Sequence, residues 1–258
     1  MLAVNNLTYS FRNKLIFNNL SASFSDGEVV GITGNAGSGK SVFINLLSNK
    51  QRDYEGNIII DNYNIKKTDK KIIKNLISHY SSLHKSVNPE AIVKEWILAG
   101  RIHHKKRLSP YSDIDKEIAF NEMTNFGLNQ VSDIRLKLIS ETFRNMASIA
   151  RVFSAQSKLL LLEKPDAGLN INQRVLLSKC IKKYTLSGNN IVVLTSGDLN
   201  FIAATCDKII VLDDNVIAES GTHRIITGEL IKKYYNIDAV VTKNIYSGLP
   251  EIQIIEEN

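Results

Sequence analysis

Residues 34–41 read Gly-Asn-Ala-Gly-Ser-Gly-Lys-Ser. They satisfy Gly-x-x-x-x-Gly-Lys-Ser/Thr at every fixed position, which constrains the fold more than any other stretch of the chain. The glycines let the backbone wind tightly enough to turn successive N–H groups inward, which makes a concave anion site. A helix that starts directly after such a loop adds partial positive charge at the same spot. The pattern therefore needs a buried strand before it and a helix after it. Residues 28–33, Glu-Val-Val-Gly-Ile-Thr, are a short apolar run suited to a buried parallel strand. Residues 41–48 set Phe43, Leu46 and Leu47 on one face at helical spacing. In that setting Gly34, Asn35, Gly37, Ser38 and Gly39 are expected to cradle phosphates. Lys40 is expected to reach the outer phosphates, and Ser41 to ligate Mg²⁺.

A chain of 258 residues with 43% hydrophobic and 22% charged residues can bury a large core. No apolar run approaches the roughly 18–20 residues of a membrane-spanning helix. The first residues lack the basic and apolar regions of a signal peptide, which points to the cytoplasm. Cys180 and Cys206 lie in apolar stretches without metal-type spacing and read as small core residues. The net charge of +6 suits an anionic partner or a membrane surface, but it is spread along the chain as an ordinary solvated surface would be.

Residues 2–24 alternate like strands and break at Arg12-Asn13-Lys14, a hairpin turn. Short strands are expected at 56–61 and 76–80. From about 89 to 156 the pattern is helical. Ser112 with Asp115 resembles a helix N-cap, Ile114, Ile118 and Phe126 mark an apolar face, and Gly127 is a C-terminal stop. Beyond residue 157, strands at 158–162, 190–195 and 208–212 alternate with helices at 170–184 and 198–205. Such alternation argues for parallel strands joined by crossover helices. No repeat or low-complexity segment interrupts it. The expectation is a single α/β unit, residues 1–258. It would have a P-loop NTPase core with a mainly parallel sheet, a small N-terminal antiparallel β subdomain and a helical insertion.

With these motifs in place the chain resembles an ATP-binding subunit of an ABC transporter over nearly its whole length. Residues 154–170, Ser-Ala-Gln-Ser-Lys-Leu-Leu-Leu-Leu-Glu-Lys-Pro-Asp-Ala-Gly-Leu-Asn, parallel the family's Walker B strand and D-loop. Residues 207–213 resemble the strand after its switch histidine. Ala99-Gly-Arg-Ile-His103 is similar to a motif of the importer branch for iron-siderophore complexes, haem or cobalamin. The tail from Tyr234 through Ile254 resembles that branch's C-terminal β extension. The resemblance implies an ABC-type nucleotide-binding domain with a helical subdomain at about 83–156 and a C-terminal extension at about 229–258. It also implies ATP and Mg²⁺ as ligands, permease subunits as partners, a homodimer or heterodimer of ATPase subunits, and a place on the inner face of the membrane.

The family's catalytic positions are altered. Glu163 stands where an aspartate helps hold Mg²⁺, one methylene longer with the same charge. Lys164 stands where a glutamate polarises the attacking water. An ammonium has three donors and no acceptor, and nearby phosphates would keep it charged. Ser82 replaces the Q-loop glutamine, Gly197 the switch histidine and Asn170 the D-loop aspartate. In the signature, Ser140 is kept while Glu141 and Thr142 replace both glycines. In the family this segment meets the γ-phosphate bound by the partner subunit, where a carboxylate would repel by about 4 kcal/mol at 4 Å. The cradle is kept and the group that handles water is lost, so nucleotide binding with weak or absent hydrolysis is expected. Phe11 falls where the family stacks an aromatic on adenine, and a strand residue packed in the core fits its position equally well.

Other features call for less. Arg101, His103, His104, Lys105, Lys106 and Arg107 form a basic cluster without interleaved aromatics, which fits a solvated loop or a face near lipid and permease rather than nucleic acid. Tyr111, Tyr234 and Tyr235 read as packing residues. A GTPase would carry Asn-Lys-x-Asp to read guanine, and the sequence has none.

Overall fold

The computed structural model describes residues 1–83, 87–106, 108–186 and 188–255. Strands β1 (Leu2–Phe11) and β2 (Lys14–Phe24) pair antiparallel. Arg12 and Asn13 turn between them with φ of 46° and 63°, the left-handed pair that a tight hairpin turn needs. After β3 (Val29–Thr33) and helix α1 (Lys40–Leu47), strands β4 (Glu55–Ile60) and β5 (Tyr63–Asn64) join the hairpin. The result is a four-stranded sheet in the order β2-β1-β4-β5. Helix α2 (Lys70–Leu76), capped by the Asp69 carboxylate, leads into β6 (Ile77–Ser81).

The second sheet adds β7 (Leu159–Glu163), β8 (Ile191–Thr195), β9 (Lys208–Asp213) and β10 (Val216–Gly221), in the order β10-β9-β3-β8-β7-β6. All its pairs are parallel except β9 with β10. Every residue of β3, β7 and β8 is buried, as expected of strands covered on both faces. Their period of two divides the molecule into two cores. Val30, Ile32, Leu159, Leu161, Ile191 and Val193 pack against α1 and the N-terminal sheet. Leu160, Leu162, Val192 and Leu194 face the opposite way, toward the helices. Those are α3 (Val93–Leu98), α4 (Asp113–Asn125), α5 (Glu141–Ser154), α6 (Ile171–Thr185) and α7 (Leu199–Thr205). Helix α8 (Gly228–Tyr235) and the hairpin β11 (Ala239–Lys243) with β12 (Pro250–Ile254) close the chain. Cys180 and Cys206 are buried free thiols, and burial raises the pKa of both, Cys180 to about 12. No helix among the described residues is long and apolar enough to cross a membrane.

The fold matches the α/β expectation, and the sequence reading fails at four places. Helix α2 and strand β10 were not anticipated. On α4 the inward face is Asp115, Ala119 and Met123, continued by Phe126, while Ile114 lies exposed. Arg101 is no part of a solvated cluster but is buried, and Arg107 lies outside the described residues. One interaction explains both shifts. Arg101 Nε donates to Asp115 Oδ1 at 2.9 Å, and its Nη1 donates to the Ser154 carbonyl at 2.9 Å. Asp115 also completes a capping box with Ser112. Gly100 lets this segment abut α5, since a Cβ there would lie 2.1 Å from the Arg151 carbonyl oxygen. The pair therefore rotates α4 so that an acid, rather than isoleucine, points inward.

Burial pushes the Asp115 carboxyl up, but hydrogen bonds from Ser112 and Arg101 pull further and hold it below the usual carboxylate range. Its contribution is therefore present at neutral pH and is lost as the pH falls below about 4. Asp115→Ala, which leaves a buried guanidinium unpaired, is expected to cost about 3–5 kcal/mol in chemical denaturation at pH 7. A loss below about 1 kcal/mol would show that the pair contributes little.

Candidate functional site

Parallel strands bring their C-terminal ends to one edge, where loops meet and ligands bind in open α/β sheets. At that edge the register places Ser81 beside Glu163, Glu163 beside Thr195, and Thr195 beside Ile32. The phosphate loop leaves β3 directly after Thr33. Gly34, at φ 136°, runs so close to β9 that a Cβ would lie 2.2 Å from the Leu212 carbonyl oxygen, so only glycine fits. Gly37 and Gly39 also have positive φ, and Gly39 is the N-cap of α1. Lys40 folds back over the loop, its Nζ donating to the carbonyls of Gly34 and Asn35 at 2.7 Å each and to Ser38 Oγ at 3.2 Å. Ser41 occupies the first turn of α1. Gly34, Asn35, Gly37, Ser38 and Gly39 thus lie in one tight loop that the Lys40 ammonium folds over.

Glu163 is 2% exposed. Ser81 Oγ donates to its Oε2 at 2.6 Å, while Oε1 is buried with no hydrogen-bond partner. A half-satisfied buried carboxylate is costly, and a cation is the partner that would satisfy it. Among the described residues no cluster of three or more histidine, cysteine or acidic side chains could hold a metal by itself. That donor set fits Mg²⁺, which is commonly held by one or two protein oxygens together with nucleotide phosphates. Glu163 and Ser41 are the residues that would hold it.

Lys164 follows at φ 48°, its N–H donating to the Thr195 carbonyl at 3.0 Å and to Thr195 Oγ1 at 3.1 Å. Its exposed side chain adds positive charge beside Lys40. Burial and the Lys164 charge together lower the Lys40 pKa. Gly197 lies beyond β8, and a Cβ built there would meet nothing within 4 Å. A side chain at this position would therefore not be blocked by its surroundings.

The remaining positions lie on neighbouring segments. Ser82 N–H donates to the Glu163 carbonyl at 3.1 Å. Ser140 is the N-cap of α5, accepting from Phe143 N–H at 3.3 Å, and Thr142 Oγ1 reaches the Gly168 carbonyl at 3.5 Å. Asn170 forms a capping box with Gln173 at the start of α6. Phe11 is 52% exposed at the tip of its hairpin, so packing in the core is excluded, and the Arg12 guanidinium lies over its ring at 5.3 Å. The same hairpin borders the loop through Ile16 and Phe17, which close on Gly39.

Three contributors escaped the sequence reading. Ser81 donates to the buried carboxylate, whereas its neighbour Ser82 meets the Glu163 main-chain carbonyl. Asp166 accepts from Ser196 Oγ at 2.7 Å, and burial raises its pKa. Tyr235 packs against the core as expected and also places its hydroxyl against Thr33 and Gly34. Nothing local marks a tyrosine some 200 residues from the loop it touches.

Comparison with known proteins agrees with this geometry. The ABC transporter family model matches residues 17–167. An uncharacterised ABC transporter ATP-binding protein of Methanocaldococcus jannaschii is 27% identical over 252 residues, covering 98% of this chain and 97% of that protein. The ferric enterobactin transport ATP-binding protein FepC of Escherichia coli K12 is 22% identical over 245 residues, covering 95% and 90%. Among solved structures, a metal-chelate type ABC transporter in an inward-facing conformation superposes with a TM-score of 0.80 at 20% identity, covering 99% and 97%. An ATP-binding cassette dimer bound to ADP and phosphate gives 0.75 at 21%, covering 86% and 98%. With a phosphate loop at the strand edge, a buried acid beside it and a family match over most of the chain's first two thirds, this chain belongs to the ABC transporter family as one of its ATP-binding domains.

Proposed function

We propose that the protein is the ATP-binding subunit of an importer for iron complexes, siderophore or haem, or for cobalamin, and that it binds ATP-Mg²⁺ with little or no hydrolysis. It works on the inner face of the membrane, docked to permease subunits and paired with a second ATPase subunit, its own copy or another. The likeness to the enterobactin transport protein and the metal-chelate transporter supports the class of cargo. The observation that carries the hydrolytic reading is Lys164, an ammonium directly after the buried Glu163. No acceptor stands there to orient or deprotonate water. Glu141 and Thr142 at the start of α5 favour a second reading, a non-catalytic partner of an active ABC ATPase that serves as a regulatory or structural half. An intact ATPase co-purifying with this chain would select the second reading.

Loss of a positioned base costs about 10²–10⁴ in rate, so Mg²⁺-dependent turnover of the purified protein is expected to be at least about 100-fold below that of a cassette with the acid in place. The double variant Lys164→Glu with Gly197→His, for which the structure leaves room, is expected to raise turnover by about tenfold or more. Wild-type turnover typical of transporter subunits and abolished by Lys40→Ala would overturn the proposal.

Lys40 and Lys164 together set two ammonium charges against the outer phosphates, which favours a retained, structural nucleotide. Lys164→Ala is expected to weaken ATP binding about three- to tenfold in calorimetric titration, with a smaller loss at high salt. Equal or tighter binding by the variant would refute the role of the second ammonium.

A further inference from the structure

Gly34 has no side chain, and its two backbone groups are engaged in different ways. Its carbonyl accepts from Lys40 Nζ at 2.7 Å. Its N–H lies one residue past the end of the β3 ladder, which stops at Ile32 with β8 and at Thr33 with β9. That N–H donates to the phenol oxygen of Tyr235 at 2.9 Å, and the same phenol shares a 2.5 Å hydrogen bond with Thr33 Oγ1. The two bonds respond differently to a ligand. Lys40 directs its ammonium to two carbonyls and the Ser38 hydroxyl, and it must release some of them to meet a phosphate. The Tyr235 bond is made by the N–H that joins Gly34 to Thr33, the last residue of β3, and not by the loop carbonyls that hold Lys40.

We propose that Tyr235 is a positioning residue of the phosphate loop: its hydroxyl holds the first turn in the nucleotide-binding shape while Lys40 exchanges loop carbonyls for phosphate, and so it ties nucleotide affinity to the C-terminal helix. The inference rests on the nucleotide-binding reading and adds a residue from outside the Walker motifs to it. The phenol is well anchored for this task. Thr227 caps α8 by accepting from Leu230 N–H at 3.1 Å. Leu230 and Tyr234 pack against Val211 of β9, the residue before the Leu212 carbonyl that crowds Gly34. Asn236, left-handed at φ 56°, ends the helix directly after Tyr235. Beyond it, Ile252 N–H donates to Asn200 Oδ1 on α7 at 3.0 Å. Movement of α8 or of the β11–β12 hairpin would therefore reach the loop through one hydroxyl. Burial also raises the Tyr235 pKa, which keeps the phenol protonated at neutral pH.

The test is ATP affinity in the presence of Mg²⁺, measured by calorimetry on the full chain, for wild type, Tyr235→Phe, Thr33→Val and Tyr234→Phe. Tyr234→Phe is the control, because it removes a comparable phenol bond on the same helix, from Tyr234 Oη to Glu219 Oε1 at 3.1 Å, that does not touch the loop. A loop that spends less time in the competent shape binds in proportion more weakly. Tyr235→Phe is therefore expected to weaken ATP binding about three- to tenfold, with Tyr234→Phe within about twofold of wild type at a similar melting temperature. Thr33→Val is expected to act in the same direction, and its effect should fail to add to that of Tyr235→Phe. Tyr235→Phe or Thr33→Val binding as tightly as wild type, or equal losses for Tyr235→Phe and Tyr234→Phe, would overturn this inference alone. Wild-type protein that binds no ATP would overturn the nucleotide-binding reading and this inference with it.

Discussion

Glu163 carries a carboxylate at the end of a strand in which every residue is buried. Desolvating such a group is expensive, and a single hydroxyl, Ser81 Oγ, returns only part of what water supplied. The rest of the edge is arranged around that deficit. The loop after β3 brings Lys40 to this edge, its ammonium on the Gly34 carbonyl, and Oε1 stays buried without a hydrogen-bond partner. A carboxylate in that position is hard to keep without a cationic or nucleotide-bound partner. The edge is thus built to bind charge, whether or not it also cleaves a bond.

The phosphate loop and the loop tips that face it rest on different parts of the chain. Binding rests on backbone: the tight loop, the strand register and the close pass of β9 beside Gly34. Lys164 and Gly197 stand on the loops after β7 and β8, where a side chain can change without disturbing a ladder bond.

Most of the architecture was legible because it depends on local pattern. The buried strands read as apolar runs, the hairpin at Arg12-Asn13 as a turn, and the phosphate loop as a motif. What stayed hidden depends on long-range pairing. Arg101 and Asp115 look like two ordinary surface charges until the fold brings Nε within 2.9 Å of Oδ1, and that pair then overrides the apolar spacing of α4. Strand β10 is half-buried and pairs only with β9, so its alternation is weak. The sequence reading left Phe11 open between stacking and packing, and only its exposure decided against packing. Tyr235 carried no local signal, because its partners, Thr33 Oγ1 and the Gly34 N–H, lie some 200 residues away.

The position of β3 in its sheet also shapes how the protein comes to be folded. Val29 pairs with Val192, and Val30 with Lys208, so the strand that launches the phosphate loop finds both neighbours only after most of the chain exists. Pairings this distant in sequence are slow to form. The N-terminal sheet, whose strands all lie before residue 65, closes early by comparison. During synthesis β3 therefore waits as an apolar strand with two open edges, the kind of segment that aggregates or recruits a chaperone.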